Sequence, residues 1–165
     1  VMRLAAMAIG LLCTASAAHA QDLEYSDTAT RVCLNDAEGF TGRLACAGLS
    51  AGLCMETPQG GSTVGMGGCL DRELKFWDDM LNRNYQAVLS QAVAADAELE
   101  ELGSAAPRQA VALRAMQRSW IDFRDKACAY AASQWGGGTG AGPAALDCLM
   151  RQTARQALSL RSWAQ

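Results

Sequence analysis

Histidine is almost missing from this chain: the single one, His19, falls in an N-terminal stretch that reads as a removable export signal. Without histidine, Ser-His-Asp and Cys-His nucleophilic constellations, histidine-ligated zinc and histidine acid-base chemistry are excluded together. Long apolar runs are missing as well. The stretch from Leu4 to Leu12 is too short to span a bilayer, and no later segment approaches the ~20 apolar residues a transmembrane helix needs. Alternating β-branched runs of the kind that make strands are also absent, since valine and isoleucine are scattered through windows of helical periodicity.

What is present begins with Arg3, the apolar stretch after it, and Ala18-His19-Ala20 directly before Gln21, the layout of a cleavable secretory signal. Residues 1–20 are therefore expected to be removed near Ala20, leaving residues 21–165 as one domain in the periplasm or outside the cell. Cys13 does not read as a lipidation site, because Leu12 stands where a lipobox wants a small residue. Loss of Arg3 leaves 13 basic against 17 acidic residues, a net charge of −4. That balance argues against nucleic acid or an anionic membrane as partner and leaves a cationic protein electrostatically acceptable.

Six cysteines follow the signal: Cys33, Cys46, Cys54, Cys69, Cys128 and Cys148. An even number in an exported chain reads as three disulfides. A bridge between antiparallel helices joins positions about equally far from the turn that links them. Cys33 and Cys46 lie about the turn near Gly39 and Gly42, Cys54 and Cys69 flank 57–65, and Cys128 and Cys148 straddle 136–143, which predicts the pairs 33–46, 54–69 and 128–148. Each would contribute on the order of 3 kcal/mol by chain-entropy reasoning. No two of them have the close spacing of a zinc knuckle.

Helical periodicity is clear in three long segments. Leu70, Leu74, Trp77, Leu81, Tyr85, Val88, Ala92, Ala95, Leu99 and Leu102 advance by threes and fours until Gly103 and Ser104. Pro107 opens a second segment with Leu113, Met116, Trp120, Phe123, Ala127 and Tyr130 as its apolar face. A third, from about Ala144 to Trp163, repeats the spacing through Leu146, Leu149, Thr153, Ala157 and Leu160, with Arg151, Arg155 and Arg161 toward the end that favours cations. Two shorter stretches, roughly 27–37 and 42–56, precede them. The expected fold is all-α: a small antiparallel helical bundle of three long helices with an N-terminal helical pair, stapled by disulfides.

Glycine-rich stretches at 60–68 and 136–140 lack the Gly-Lys-Ser/Thr ending of a phosphate loop and follow no strand. They read as interhelical loops. Anchored by disulfides, they could also insert into a partner's cleft, which makes Gly60, Gly61, Val64, Met66, Gly137, Gly138 and Thr139 candidate contacts. Trp120 and Arg124 are four apart, so guanidinium and indole can stack on one helix face, and Arg124 could bond a carboxylate from a neighbouring helix. Both a structural clasp and a partner-binding hot spot fit that pair. Carboxylates at Asp78 and Asp79, and at Glu98, Glu100 and Glu101, read as solvated surface, because a glycosidase needs two facing each other across substrate. No catalytic, cofactor-binding or metal-ligating residue is assigned.

Two blocks carry a resemblance. Cys69-Leu70-Asp71-Arg72-Glu73-Leu74 followed by Leu81-Asn82-Arg83-Asn84-Tyr85 is similar to a cysteine preceding a Leu-Asn-x-x-Tyr signature. Leu113 to Cys128, with Gln117, Trp120, Phe123, Arg124 and Asp125, resembles Leu-x-x-x-Gln-x-x-Trp-x-x-Phe/Tyr-Arg-Asp-x-x-Cys almost position for position, and Gly137-Gly138-Thr139, Cys148 and Thr153-Ala154-Arg155 follow in order. Over roughly 65–163 the chain looks like the lysozyme inhibitor LprI-like domain, a group of small exported bacterial proteins. The resemblance implies a helical fold, export, and binding of lysozyme or another periplasmic protein. It assigns no inhibitory residue, since the matching positions look structural. Cys33, Cys46 and Cys54 and the lack of a lipobox depart from the naming member. A structural or envelope-stress protein without lysozyme activity, and a carboxylate-dependent cell-wall glycan hydrolase, are the alternatives.

Overall fold

The computed structural model describes residues 23–164; the expected signal, with Cys13 and His19, lies outside them. The described residues are all-α, as the periodicity requires. Three short helices, α1 (Thr28–Asp36), α2 (Gly39–Leu44) and α3 (Leu49–Met55), precede three long ones, α4 (Thr63–Glu101), α5 (Gln109–Ser133) and α6 (Ala141–Trp163). The disulfides join Cys33 to Cys46, Cys54 to Cys69 and Cys128 to Cys148, so each closes a single helix-to-helix connection or a pair of them.

α6 is the central helix. Asn84 Nδ2 donates to the Ala157 carbonyl (2.8 Å) and Gln91 Nε2 to the Ala164 carbonyl (3.1 Å), the same offset of 73 residues, so α4 and α6 run side by side in one direction. α5 returns antiparallel to both, packed mainly on α6. Packed on more than one side, α6 buries Met150, Ala154 and Leu158 in addition to the expected Thr153, Ala157 and Leu160. A buried amide pair, Gln156 Nε2 donating to Gln117 Oε1 (3.1 Å), joins it to α5.

Three expectations are corrected. The N-terminal pair is a trio, because Gly48 adopts φ +99° and divides the 42–56 stretch into α2 and α3; that left-handed conformation strains any residue with a Cβ. α5 begins two residues beyond Pro107, where the Asp96 side chain of α4 accepts from Gln109 N (2.6 Å) and Ala110 N (3.0 Å) and so fixes the helix start across the turn. The predicted apolar face of α5 is displaced around its axis. Ala110, Leu113, Gln117 and Cys128 point into the bundle, while Phe123 and Tyr130 are exposed. A row of aromatics at helical spacing flanks the core there without entering it.

One buried carboxylate ties the trio to the bundle. Glu73 of α4 is fully buried, and its Oε1 accepts from Thr30 Oγ1 (2.9 Å), Gly48 N (2.8 Å) and Trp77 Nε1 (3.2 Å), while Oε2 accepts from Ala51 N (2.7 Å). The N-cap of α3 is Gly48, which has no side chain to bond the free amides of its first turn, and Glu73 does so from another helix. Thr30 and Ser50 add a reciprocal pair, each backbone amide bonding the other's hydroxyl (3.1 and 3.2 Å). Burial and the Glu73 carboxylate push the Tyr25 hydroxyl far above its ordinary range, so it stays neutral beside this network.

Replacing Glu73 by alanine strands four donors, three of them on buried residues, and Glu73→Ala is expected to lower stability by on the order of 4 kcal/mol, with Glu73→Gln losing about half as much. Urea titration followed by circular dichroism measures this as a shift in midpoint, with exposed Asp79→Asn as the unaffected control.

Candidate functional site

The helix directions decide where the two glycine-rich segments go. The start of α4, the end of α5 and the start of α6 share one end of the bundle, so the α3–α4 and α5–α6 connections meet there. They border an apolar groove of about 410 Å³ lined by Met55, Thr63, Met66, Leu70, Trp135, Thr139, Pro143 and Ala144, with Asp147 the one carboxylate among the described residues there. Asp147 is held by Arg151 of the next turn (2.9 Å). Cys54–Cys69 and Cys128–Cys148 lie at the bases of the two segments.

The first segment is not the flexible loop its glycines suggest. α4 begins at Thr63, because the Ser62 hydroxyl accepts from Gly65 N (3.0 Å) as a helix cap, so Val64 and Met66 are helical. Gly60 is buried. A Cβ at Gly60 would collide with the Cys54 carbonyl, and one at Gly65 with the Gln59 carbonyl. These glycines permit close backbone packing. Of the candidate contacts here, Met66 lines the groove, Gly61 is exposed, and Val64 projects into solvent at 86% exposure.

The second segment keeps its expected loop character. Gly136 and Gly137 take positive φ, Gly137 and Gly138 are exposed, and Thr139 lines the groove. The sequence reading missed Trp135. Its ring lies against Gly140, where any Cβ would clash with the indole, and it remains 55% exposed beside the groove. A tryptophan on the margin of an apolar groove has the composition of a protein-contact anchor.

The motif residues fall elsewhere and separate by role. Leu81 is in the core, Tyr85 and Trp120 pack against it, and Gln117 holds the buried amide pair. Asn82 bonds only Asp78 of its own helix (3.1 Å); its neighbour Asn84 makes the link to α6. Arg124 lies 5.1 Å from the centre of the Trp120 ring, but its carboxylate is the adjacent Asp125 (2.8 Å) and not one on a neighbouring helix. Phe123 and Asp125 are exposed, and Arg155 borders a separate depression with Ala47 and Gln152. None of these motif residues lines the groove. Asp78, Asp79, Glu98, Glu100 and Glu101 do not line it either. Among the described residues no group of three His, Cys, Asp or Glu side chains is arranged to hold a metal ion.

Fold and site together define a disulfide-stapled helical bundle with an apolar groove at one end. The family model for lysozyme inhibitor LprI matches residues 54–160, and the chain belongs to that family. It is also similar to an uncharacterized protein of Rhizobium meliloti (strain 1021), 28% identical over 130 residues that cover 72% of this chain and 94% of that protein. An uncharacterized 17.7 kDa protein from the puhA 5′ region of Rhodobacter capsulatus is 26% identical over 137 residues, 82% of this chain and 85% of its own length. No solved structure matches the chain.

Two substitutions separate scaffold from surface. Gly60→Ala should cost about 3 kcal/mol by forcing apart the Cys54 backbone, whereas Gly61→Ala, whose Cβ would make only ordinary van der Waals contact with the Met55 and Thr57 carbonyls, should change the thermal midpoint little. Arg124→Ala should cost about 1 kcal/mol through the lost indole stacking and leave partner binding unchanged, as measured by thermal denaturation alongside a binding titration.

Proposed function

We propose that this protein is an exported protein-binding module that inhibits lysozyme noncovalently, with the apolar groove and its two bordering segments as the contact surface. The observation that carries this reading is the convergence of two disulfide-anchored segments on one groove at one end of the bundle. Family membership supplies the class of partner. Anchored backbone loses little freedom on binding, so a groove margin held by Cys54–Cys69 and Cys128–Cys148 puts its contact energy into affinity. The net charge of −4 expected after signal removal favours encounter with a cationic enzyme. Disulfides fit the periplasm, and among the described residues no helix is long and apolar enough to cross a membrane.

A cell-wall hydrolase would need a second carboxylate facing Asp147 across the groove, and among the described residues no other acidic side chain lines it. The reading as an envelope protein without lysozyme activity makes no demand on the groove at all.

Lysozyme activity on a cell-wall suspension, titrated with the oxidised protein, is expected to fall stoichiometrically. Trp135→Ala and Val64→Glu should each weaken inhibition at least ~10-fold, about 1.4 kcal/mol, with helicity intact. A glutamate at 64 suits the first turn of a helix, so its effect would lie in the contact and not the fold. Full lysozyme activity at large excess of the protein would overturn the proposal.

A further inference from the structure

A second cavity differs from the groove in chemistry and position. It has a volume of about 340 Å³ and is lined by Arg31, Arg43 and Arg161 with Leu34, Phe76 and Met80. Arg31 comes from α1, Arg43 from α2, Phe76 and Met80 from α4, and Arg161 from the last turn of α6. Asp147 at the groove and Arg161 here are separated by roughly 20 Å along α6 at 1.5 Å per residue.

The cations of this cavity are under-compensated. Arg31 pairs with Asp27 (2.7 Å) and lies 4.8 Å from the centre of the Phe76 ring. Among the described residues no carboxylate forms an ion pair with Arg43 or Arg161. The Nε of Arg43 is buried, and none of the described residues offers it a hydrogen-bond acceptor. A guanidinium N–H withdrawn from solvent is destabilising unless something accepts from it. Arg43 and Arg161 sit in the C-terminal turns of α2 and α6, where the helix dipole favours a cation, but that field supplies no acceptor. Three guanidinium groups around one cavity in an acidic protein are a receptor for negative charge. Cys33–Cys46 fixes the arrangement, since Arg31 and Arg43 stand two and three residues before its cysteines.

We propose that this cavity binds a small organic oxyanion, its phosphate or carboxylate group held by Arg43 and Arg161 and its apolar body resting on Phe76, Leu34 and Met80. Phosphate and carboxylate share the planar, bidentate recognition that arginine provides. The apolar floor favours an anion with a ring or short chain over the bare ion.

Isothermal titration of the oxidised protein with phenyl phosphate, benzoate and inorganic phosphate, each against sodium chloride of equal ionic strength, tests this. At least one of the two aromatic anions should bind saturably at one per chain and more tightly than inorganic phosphate; the tighter of the pair identifies the group recognised. Arg161→Gln and Arg43→Gln should each weaken binding at least ~10-fold, while Arg118→Gln on the exposed face of α5 should not. Arg161→Gln keeps the test decisive if Arg43→Gln fails to fold. No saturable binding of either aromatic anion beyond the salt control, or binding that survives both substitutions, would overturn the proposal.

Discussion

The arrangement depends on one charge that has nowhere else to go. Glu73 is fully buried on α4, and a carboxylate in that position is tolerable only when its oxygens are saturated by donors. The donors come from three places: the Trp77 indole one turn along, the Thr30 hydroxyl of α1, and the Gly48 and Ala51 amides at the start of α3. None of the short helices would be stable alone, since each is below the length at which an isolated helix forms in water. Their geometry is set by what Glu73 requires, and Cys33–Cys46 and Cys54–Cys69 hold them to it.

That constraint has consequences at both ends of the bundle. Fixing α3 places Met55 and Cys54 at the start of the α3–α4 connection, which forms one margin of the groove. Fixing α1 relative to α2 and α3 brings Arg31 and Arg43 to the cavity that α6 completes with Arg161. The parallel course of α4 and α6, with its constant offset at Asn84–Ala157 and Gln91–Ala164, carries the register from one end to the other. Stability and site geometry therefore draw on the same contacts, and a substitution in the Glu73 network would reach both surfaces without touching either.

How much of this was legible in the sequence varied with the range of the interaction. The all-α class and the long helices follow from local periodicity, which is a property of each segment by itself. The disulfide pairs could be anticipated because each spans neighbouring elements joined by short connections. The role of Glu73 was not legible: within Asp71-Arg72-Glu73 it looks like any surface acid, and only a long-range approach of α1 and α3 makes it a cap. Similarly, the glycines at 60 and 65 carry a signal of small size that flexibility and close packing share, and the packing partner decides which applies. Phe123 and Tyr130 obey the helical spacing of a core face, yet the choice of face is made by the helices α5 meets. At the groove, the two segments were legible, and an antiparallel bundle already puts both at one end; Trp135 was not, since its ring gains a role only where the α5–α6 connection turns back and lays it against Gly140.

The two surfaces also differ in how they relate to the family. The residues that line the groove, from Met55 to Asp147, all lie within the matched stretch 54–160. The three arginines of the cavity all lie outside it, at 31, 43 and 161. Glu73 is inside the matched stretch, but Thr30, Gly48 and Ala51, three of its four donor residues, precede it. Satisfying Glu73 therefore draws on α1 and α3 as well as on α4, and the same short helices bring Arg31 and Arg43 to the cavity against α4 and α6. The separation along α6 leaves the apolar groove at one end of the bundle and the arginine-lined cavity toward the other.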